Sequence, residues 1–127
     1  MPIENIRLSA KAKDNLISLK RKTGIGQWNI LCRWGFCLSL ATEGDPPPSH
    51  IPADSNVEMD WKTFAGEFSD IYWGLLLERC KYSGVDISDD KEVAHYFRLH
   101  LHRGIQYLAA DQRMKKVEAF LNYVPTR

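Results

Sequence analysis

The order of apolar and polar positions predicts a mainly helical protein that begins with one short strand. Residues 3–8 roughly alternate between apolar and polar side chains, a pattern typical of a strand. From Ala10 to Lys22 the apolar residues recur with helical spacing, and Ser9 and Gly24 are well placed to cap the two ends of this helix. Because a lone strand must pair with another strand, its copy in a second subunit is one candidate partner.

A second helix is predicted from residue 27 or 28 to about residue 40, and it is apolar on two sides. Such a helix is buried, either in the centre of the fold or at a subunit interface. Arg33 is the single charged residue in this stretch, so its guanidinium must reach solvent, an acid or a phosphate. The first apolar stripe contains Trp28, Leu31, Cys32, Gly35, Leu38 and Ser39, and the second contains Ile30, Trp34 and Cys37.

The segment from residue 42 to residue 56 is predicted to be a loop, because its prolines oppose helix formation. One long helix is expected from Met59 to Tyr82, where apolar residues recur at steps of three and four. A further helix should run from Asp89 to about Ala110, and the tail from Arg113 to Tyr123 could continue as a helix. The residues that the long helix should bury are Trp61, Phe64, Phe68, Ile71, Tyr72, Leu75 and Leu76.

The length of 127 residues fits a single domain, 1–127. Within it we distinguish a basic strand–helix–turn–helix at 1–41, a proline-rich loop at 42–56 and a helical part at 57–127. The predicted fold class is therefore mainly α, with a short N-terminal strand followed by about four to five helices.

No stretch approaches the roughly 18 uncharged apolar residues that a transmembrane helix needs, and the N-terminus has no basic-then-apolar secretion signal. The cysteines, Cys32, Cys37 and Cys80, are odd in number, and the apolar neighbours of the first two favour buried, reduced thiols. We therefore expect a cytoplasmic protein that has no membrane segment.

The net charge of +1 conceals three segments of alternating sign. Residues 1–38 carry seven cations against two acids, residues 39–94 carry four against twelve, and residues 95–127 carry six against two. A strongly basic segment indicates a surface that meets a polyanion. The alternative is that the acidic middle segment neutralises the basic start, either within the fold or across an oligomer interface.

The strongest candidate for a phosphate-binding corner is the cluster of cations at 20–22, which precedes the turn at 23–26 and the start of the second helix. Backbone N–H groups at a helix N-terminus attract anions, and nearby cations strengthen that attraction. Phosphate contacts do not read sequence, so we expect mostly non-specific, salt-sensitive DNA binding. The plainer interpretation is a solvated helix face. The candidate DNA-binding residues are Lys11, Lys13, Lys20, Arg21, Lys22 and Arg33.

No pattern in the chain matches a metal site or a catalytic site. Cys32 and Cys37 are wrongly spaced for a zinc knuckle, and His100 and His102 would point in different directions on a helix. No glycine-flanked serine or Cys–His arrangement indicates a nucleophile. We therefore predict a binding protein and not an enzyme, with no catalytic residue, cofactor or metal. An acidic cluster, which a solvated helix face would explain, contains Glu58, Asp60, Glu67 and Asp70.

Three stretches, TGIGQWNILCRWGFCLSLA, SNVEMDWKTFAGE and FRLHLHRGIQYLA, resemble the DndE family of the bacterial DNA phosphorothioation (DNA sulfur modification) system. The resemblance covers roughly residues 3–110. It implies a part in replacing a non-bridging phosphate oxygen of DNA with sulfur, alongside a cysteine desulfurase, an iron–sulfur protein similar to sulfurtransferases, and an ATPase. It also implies binding to double-stranded DNA, with a preference for nicked duplex, by a homo-oligomer that we expect to be a tetramer.

The resemblance brings no catalytic residue, and what it transfers is a lysine-rich surface on the first helix. The order strand, helix, turn, helix is also similar to that of ribbon–helix–helix DNA-binding proteins, in which two strands pair across a dimer. The expected function is therefore a DNA-binding accessory of phosphorothioate modification. The alternative is a protein-interaction subunit that scaffolds the modification complex without binding DNA. A nuclease or sulfur-handling enzyme that uses Cys80 or the acidic cluster has the least support.

Overall fold

The computed structural model describes residues 3–111, and most of them lie in helices. Two short strands are β1 (Asn5–Arg7) and β2 (Glu58–Asp60). The helices are α1 (Ala10–Thr23), α2 (Trp28–Ala41), α3 (Trp61–Ala65), α4 (Ser69–Tyr82) and α5 (Asp90–Ala110), and a 3₁₀ turn at Gly66–Phe68 joins α3 to α4. The mainly α fold with a short N-terminal strand is confirmed.

The first helix has the ends that its sequence predicts. The Ser9 side chain accepts a hydrogen bond from the Ala12 N–H at 3.1 Å, which satisfies one of the free donors in the first turn. At the other end Gly24 adopts the left-handed conformation, with φ 77°, and its N–H bonds to the Lys20 carbonyl. These two caps fix where α1 begins and ends, and they set the position from which α2 departs.

The partner of the N-terminal strand lies in the same chain, not in a second subunit. β1 pairs with β2 in an antiparallel register that places Ile6 opposite Met59. The pairing continues past the strand, because the Leu8 N–H donates to the Val57 carbonyl at 3.0 Å. The strand–helix–turn–helix order of the ribbon–helix–helix proteins is therefore present, but its ribbon forms within one chain.

The single long helix predicted from Met59 to Tyr82 is wrong, because the end of β2, α3, the 3₁₀ turn and α4 occupy that range. Asp60 caps α3 by accepting a hydrogen bond from the Thr63 N–H at 2.7 Å, and Gly66 ends that short helix with φ 64°. The expected buried stripe is divided as a result. Trp61, Phe64 and Leu76 are buried and Tyr72 is half-buried, whereas Phe68, Ile71 and Leu75 are exposed.

The centre of the fold is the crossing of α2 and α5. Glycines from both helices meet there, since a Cβ built on Gly104 would lie 1.6 Å from the Gly35 carbonyl oxygen. Two helices approach this closely only where neither carries a side chain at the crossing. Beside it Phe36 of α2 packs on Phe97 of α5 and on Phe64 of α3, with ring centres 5.1 and 5.7 Å apart. The first apolar stripe predicted for α2 is buried or half-buried, whereas the second is not buried, since Ile30 and Trp34 are half-buried and Cys37 is exposed.

The predicted loop at 42–56 contains no helix or strand and is confirmed as a loop. Cys32 and Cys80 are buried, but Cys37 lies at the surface, so the expectation that it would be buried is wrong. Within residues 3–111 no helix is long and apolar enough to cross a membrane. The tail helix expected from Arg113 to Tyr123 lies outside the residues that the structure describes.

Candidate nucleic-acid interface

The first helix turns its cations away from the core. Ala12, Leu16 and Leu19 are buried on one side of α1, while Lys11 and Arg21 are exposed and Lys13, Lys20 and Lys22 are half-buried. This separation follows from the helical period, which brings residues three and four apart onto one side. Five of the six candidate DNA-binding residues therefore lie on one helix, with at least part of each side chain accessible.

The start of this helix is anchored to α5 through a half-buried histidine, His102. The Ser9 N–H donates to His102 Nε2 at 3.2 Å, and His102 Nδ1 donates to the Arg98 carbonyl at 2.8 Å. Burial lowers the His102 pKa to about 4, which keeps the ring neutral near pH 7, and a neutral ring is what this pair of bonds requires. The cationic helix is thus held in a fixed position on the core.

Two of the lysines have a defined neighbour. Lys13 Nζ donates to the Asn56 side-chain oxygen at 2.6 Å, which ties α1 to the end of the proline-rich loop. Lys20 Nζ lies 4.0 Å from the centre of the Trp28 ring, where the ring's negative face attracts a cation. Trp28 is the first residue of α2, and Gln27 before it makes no side-chain capping bond. Free N–H groups of that first turn are therefore close to the basic corner.

Arg33, the sixth candidate, is half-buried and is bonded to α3 of the same chain. Its guanidinium donates to the carbonyls of Phe64 and of Thr63, the latter at 3.2 Å, near the end of α3. From the sequence we expected solvent, an acid or a phosphate as the partner of Arg33. The partners in the structure are instead backbone carbonyls near the C-terminal end of a helix, which have no acceptor role within that helix. The structure therefore separates Arg33 from the five cations of α1.

None of the α1 cations is neutralised by the acidic segment. Within residues 3–111 the ion pairs are Arg7 with Glu58, and Arg79 with Asp45 at 3.7 Å. The first stabilises the β1–β2 pair, and the second lies at the start of the proline-rich loop. Within one chain, therefore, the acids of the middle segment do not neutralise the cations of α1.

Three arginines that sequence reasoning did not single out hold the loop in place. Arg79 and Arg103 both donate to the Gly44 carbonyl, at 3.4 and 3.0 Å, and Arg98 donates to the Ile51 carbonyl at 3.1 Å. Guanidinium groups with several fixed donors suit this use, because one side chain can satisfy several loop carbonyls. No local pattern marks these arginines, because the carbonyls that they contact are at least 35 positions away in the sequence.

A buried Ser–His pair lies between α2 and α5, but its surroundings do not suit catalysis. Ser39 Oγ and His100 Nδ1 are 2.8 Å apart, and Arg103 Nε also donates to Ser39 Oγ at 2.8 Å. Both Ser39 and His100 have no exposed surface, so a substrate could not reach them. Burial, with the charges of Arg103 and Arg79, lowers the His100 pKa to about 4. The pair acts as a polar link between two helices.

Structural contacts or burial account for four of the side chains considered for other chemistry. Asp60 caps α3, and Glu58 pairs with Arg7. Burial raises the pKa of Cys80 to about 11 and that of Cys32 to about 12, which makes both thiols poor nucleophiles near pH 7. In the part of the chain that the structure describes, no group of three or more His, Cys, Asp or Glu side chains could hold a metal ion.

A second surface, which we call the α4 stripe, is apolar and exposed. It consists of Phe68, Ile71, Leu75 and Tyr82. Their exposed fractions are 56%, 59%, 44% and 86%, far above those of apolar side chains in a core. The acids Glu67, Asp70 and Glu78 lie beside them and are also exposed. An apolar patch with an acidic border is typical of a protein-binding surface.

Comparison with known proteins gives a consistent result. The family model of the DNA sulphur modification protein DndE matches residues 5–116, which is most of the chain. No match was found among curated proteins. The fold is similar to the crystal structure of DndE from Escherichia coli B7A involved in DNA phosphorothioation modification, with a TM-score of 0.70 and 25% sequence identity. That match covers 85% of this chain and 98% of the other.

A second crystal structure, of a DndE mutant in which glycines are replaced by lysine, involved in DNA phosphorothioation, matches with a TM-score of 0.61 and 25% identity. It covers 83% of this chain and 95% of the other. The range matched by the family model contains every element from β1 to α5. This chain therefore belongs to the DndE family of DNA sulphur modification proteins.

Proposed function

We propose that this protein binds DNA as an accessory subunit of phosphorothioate modification and that the binding surface is the cationic side of α1. The observation that carries the proposal is that these cations face away from the core and form no ion pair with the acids of the middle segment. The DndE crystal structures that resemble this chain are of proteins involved in DNA phosphorothioation. The proposed contact residues are Lys11, Lys13, Lys20, Arg21 and Lys22.

The proposed mechanism is electrostatic and needs no catalysis by this chain. Lysine and arginine neutralise phosphates and release the counterions that surround the duplex, so affinity falls steeply as salt rises. A nick is the favoured target, because an interrupted strand bends at lower cost and lets more phosphates reach one rigid surface. Arg33 is left out of the proposed surface, since its guanidinium is bonded to the carbonyls near the end of α3.

The active form in this proposal is a homo-oligomer, with a tetramer as the expected state. The α4 stripe supports it, because covering a few hundred Å² of apolar surface contributes several kcal/mol at about 25 cal/mol per Å². Each added subunit brings another copy of the cationic helix to the same DNA. Several weak phosphate contacts on one molecule then act together and raise the affinity.

A second candidate function is that of a scaffold for the other proteins of the modification system. The α4 stripe and its acidic border favour it, because this surface could bind a cationic amphipathic segment of another protein. The two functions make different demands on α1. A DNA-binding subunit needs the cations of α1, whereas a scaffold that uses the α4 stripe works without them.

The test is a fluorescence-anisotropy titration of nicked and intact duplexes of one sequence at several salt concentrations. We compare wild type with the triple variant Lys20→Ala, Arg21→Ala, Lys22→Ala. The matched control is Lys62→Ala, Lys81→Ala, Lys91→Ala, which removes three exposed lysines from other elements and leaves the same net charge. Oligomer mass is measured for every variant.

We expect the α1 triple variant to lose at least tenfold in affinity and to lower the salt slope by up to three units, since each phosphate contact contributes about one unit. The control should change both quantities far less, and the oligomer mass should stay the same. Equal losses in the two triple variants would show that only net charge matters. A wild type that binds neither duplex at low salt would refute DNA binding and favour the scaffold.

A further inference from the structure

One contact in the basic corner joins the two helices that form it. Lys20 lies in the last turn of α1 and Trp28 opens α2, and the lysine Nζ is 4.0 Å from the ring centre. The turn between them is well defined. Thr23 Oγ1 donates to the Leu19 carbonyl at 2.7 Å and accepts from the Ile25 N–H at 3.1 Å. The turn therefore fixes the positions of the Lys20 and Trp28 backbones relative to each other.

The two partners of this contact differ in freedom. Trp28 packs against the hydrophobic core and has two side-chain torsions, so its ring is anchored. Lysine has a flexible four-carbon stem, and a surface lysine samples many rotamers. A contact between an anchored ring and a mobile ammonium restricts the ammonium. The Trp28 ring therefore positions the Lys20 ammonium, and the lysine does not position the ring.

The surroundings leave this ammonium available to an anion. Lys20 makes no ion pair with any acid in the range 3–111, and the residues after it are Arg21 and Lys22. A Cβ built on Gly26 would meet no atom within 4 Å, so the turn beside the contact is open. The ring contacts one side of the ammonium and leaves the other N–H donors free to reach solvent or a phosphate oxygen.

We propose that Trp28 is a positioning residue for DNA binding, which holds the Lys20 ammonium in the orientation that meets a DNA phosphate. This inference rests on the proposed DNA-binding function. An ammonium that is already oriented loses less side-chain entropy when a phosphate arrives, so each contact yields more affinity. Lys20 is then the strongest single phosphate contact among the cations of α1, because within residues 3–111 it is the one α1 cation that lies over an aromatic ring.

The first test measures the contact without DNA. Protons above an aromatic ring are shifted upfield, so the Hε protons of Lys20 should resonate upfield of those of the exposed Lys11. Trp28→Leu should return them to the position of an ordinary lysine, while Trp34→Leu, a change to another half-buried tryptophan of α2, should leave them shifted. An unshifted Lys20 in the wild type would overturn the inference.

The second test is a double-mutant cycle with nicked duplex, built from wild type, Lys20→Ala, Trp28→Leu and the double variant. We expect Trp28→Leu to weaken binding about two- to fivefold in the wild-type background, the range expected for an exposed cation–π contact. In the Lys20→Ala background the same change should have almost no effect, because its target is gone. Trp28→Phe keeps an aromatic ring and should give an intermediate affinity.

The outcomes separate the inference from the function on which it rests. If Trp28→Leu weakens binding by the same factor with and without Lys20, its role is structural and the inference is wrong. If the wild type binds DNA but Lys20→Ala has no effect, DNA binding stands and the inference fails. If the Trp28→Leu protein does not fold, Trp28→Phe replaces it in the double-mutant cycle with Lys20→Ala. A wild type without DNA affinity would refute both.

Discussion

Helices α2 and α4 are equal in length and both carry large apolar side chains, yet the fold uses them in opposite ways. Each has 14 residues, and neither N-cap makes a side-chain hydrogen bond. α2 lies at the centre, against α5, whereas α4 leaves Ile71 and Leu75 in solvent. Helical period shows which residues share a side of a helix, but it does not show whether anything covers that side.

The difference lies in the small residues. At the crossing of α2 and α5, Gly35 and Gly104 let two backbones come into contact, so large neighbours such as Phe36 can interdigitate around them. The glycine of α4, Gly74, has no such role, since a Cβ built on it would meet no atom within 4 Å. A glycine at a helix crossing therefore identifies the central helix better than the number of apolar residues does.

The largest effect that we predict follows from this close approach. In Gly104→Ala the new Cβ would lie 1.6 Å from the Gly35 carbonyl oxygen, and the obstacle is backbone, which cannot rotate away. The helices must move apart, and we expect a loss of about 3 kcal/mol or more in the free energy of unfolding, at the upper end of overpacking effects. Urea unfolding followed by circular dichroism measures it.

The matched control is Gly74→Ala on α4. It adds the same methyl group to a helix where the space is open, so we expect a gain of roughly 0.5–1 kcal/mol from higher helix propensity. Opposite signs for the two substitutions would support the contrast between the central and the peripheral helix. A Gly104→Ala protein as stable as wild type would show that the crossing is looser than described.

The same contrast explains how much of the fold was predictable. α1 follows from sequence because Ser9 and Gly24 are local signals that set its ends, and the structure has both caps. The predicted helix from Asp89 to about Ala110 agrees with α5, but the range 58–82 was not predicted well, because its apolar residues keep a helical spacing across β2, α3 and α4. The break depends on pairing with β1, a contact between residues more than fifty positions apart, which no local pattern contains.

The candidate site was predictable to a similar extent. The helical period places Lys11 and Lys22 opposite the buried side of α1, with Lys13 and Lys20 flanking them, and the structure leaves each of these side chains at least partly exposed. Arg33 could not be assigned, because its partners are carbonyls of Thr63 and Phe64, which are distant in sequence. The contact between Lys20 and Trp28 was not predicted either, because it depends on the angle that the turn sets between α1 and α2.

The next largest effect on stability is expected at low pH, where the buried His100 that links α5 to Ser39 of α2 takes up a proton. The folded His100 pKa of about 4 lies below the usual value of 6.5, so folding favours the neutral ring. The unfolded chain takes up a proton below pH 6.5, and the folded chain does so only near pH 4. Stability from this group is thus full above pH 6.5 and is lost as the pH falls towards 4.

We expect His100 to contribute a loss of about 1–2 kcal/mol in unfolding free energy between pH 7 and pH 5. The quantity to compare is the change with pH, because His100→Gln also alters stability at neutral pH. His100→Gln should reduce this dependence without abolishing it, because the His102 pKa is also lowered to about 4, while His95→Gln, on the exposed side of α5, should leave it as in wild type. Equal pH dependence in the two variants would contradict a buried neutral ring at His100.

The smallest effect on the isolated chain is expected on α4. Ile71→Gln changes a side chain that is 59% exposed, so the stability of the monomer should shift by no more than about 0.5 kcal/mol. If the α4 stripe is covered in a homo-oligomer, the same change should lower the mass measured by light scattering and remove the concentration dependence of the melting temperature. Leu76→Gln, on the buried side of the same helix, should instead destabilise the monomer by several kcal/mol. An Ile71→Gln protein with wild-type mass would place the subunit contact elsewhere and leave the α4 stripe for a partner protein, which is the scaffold function.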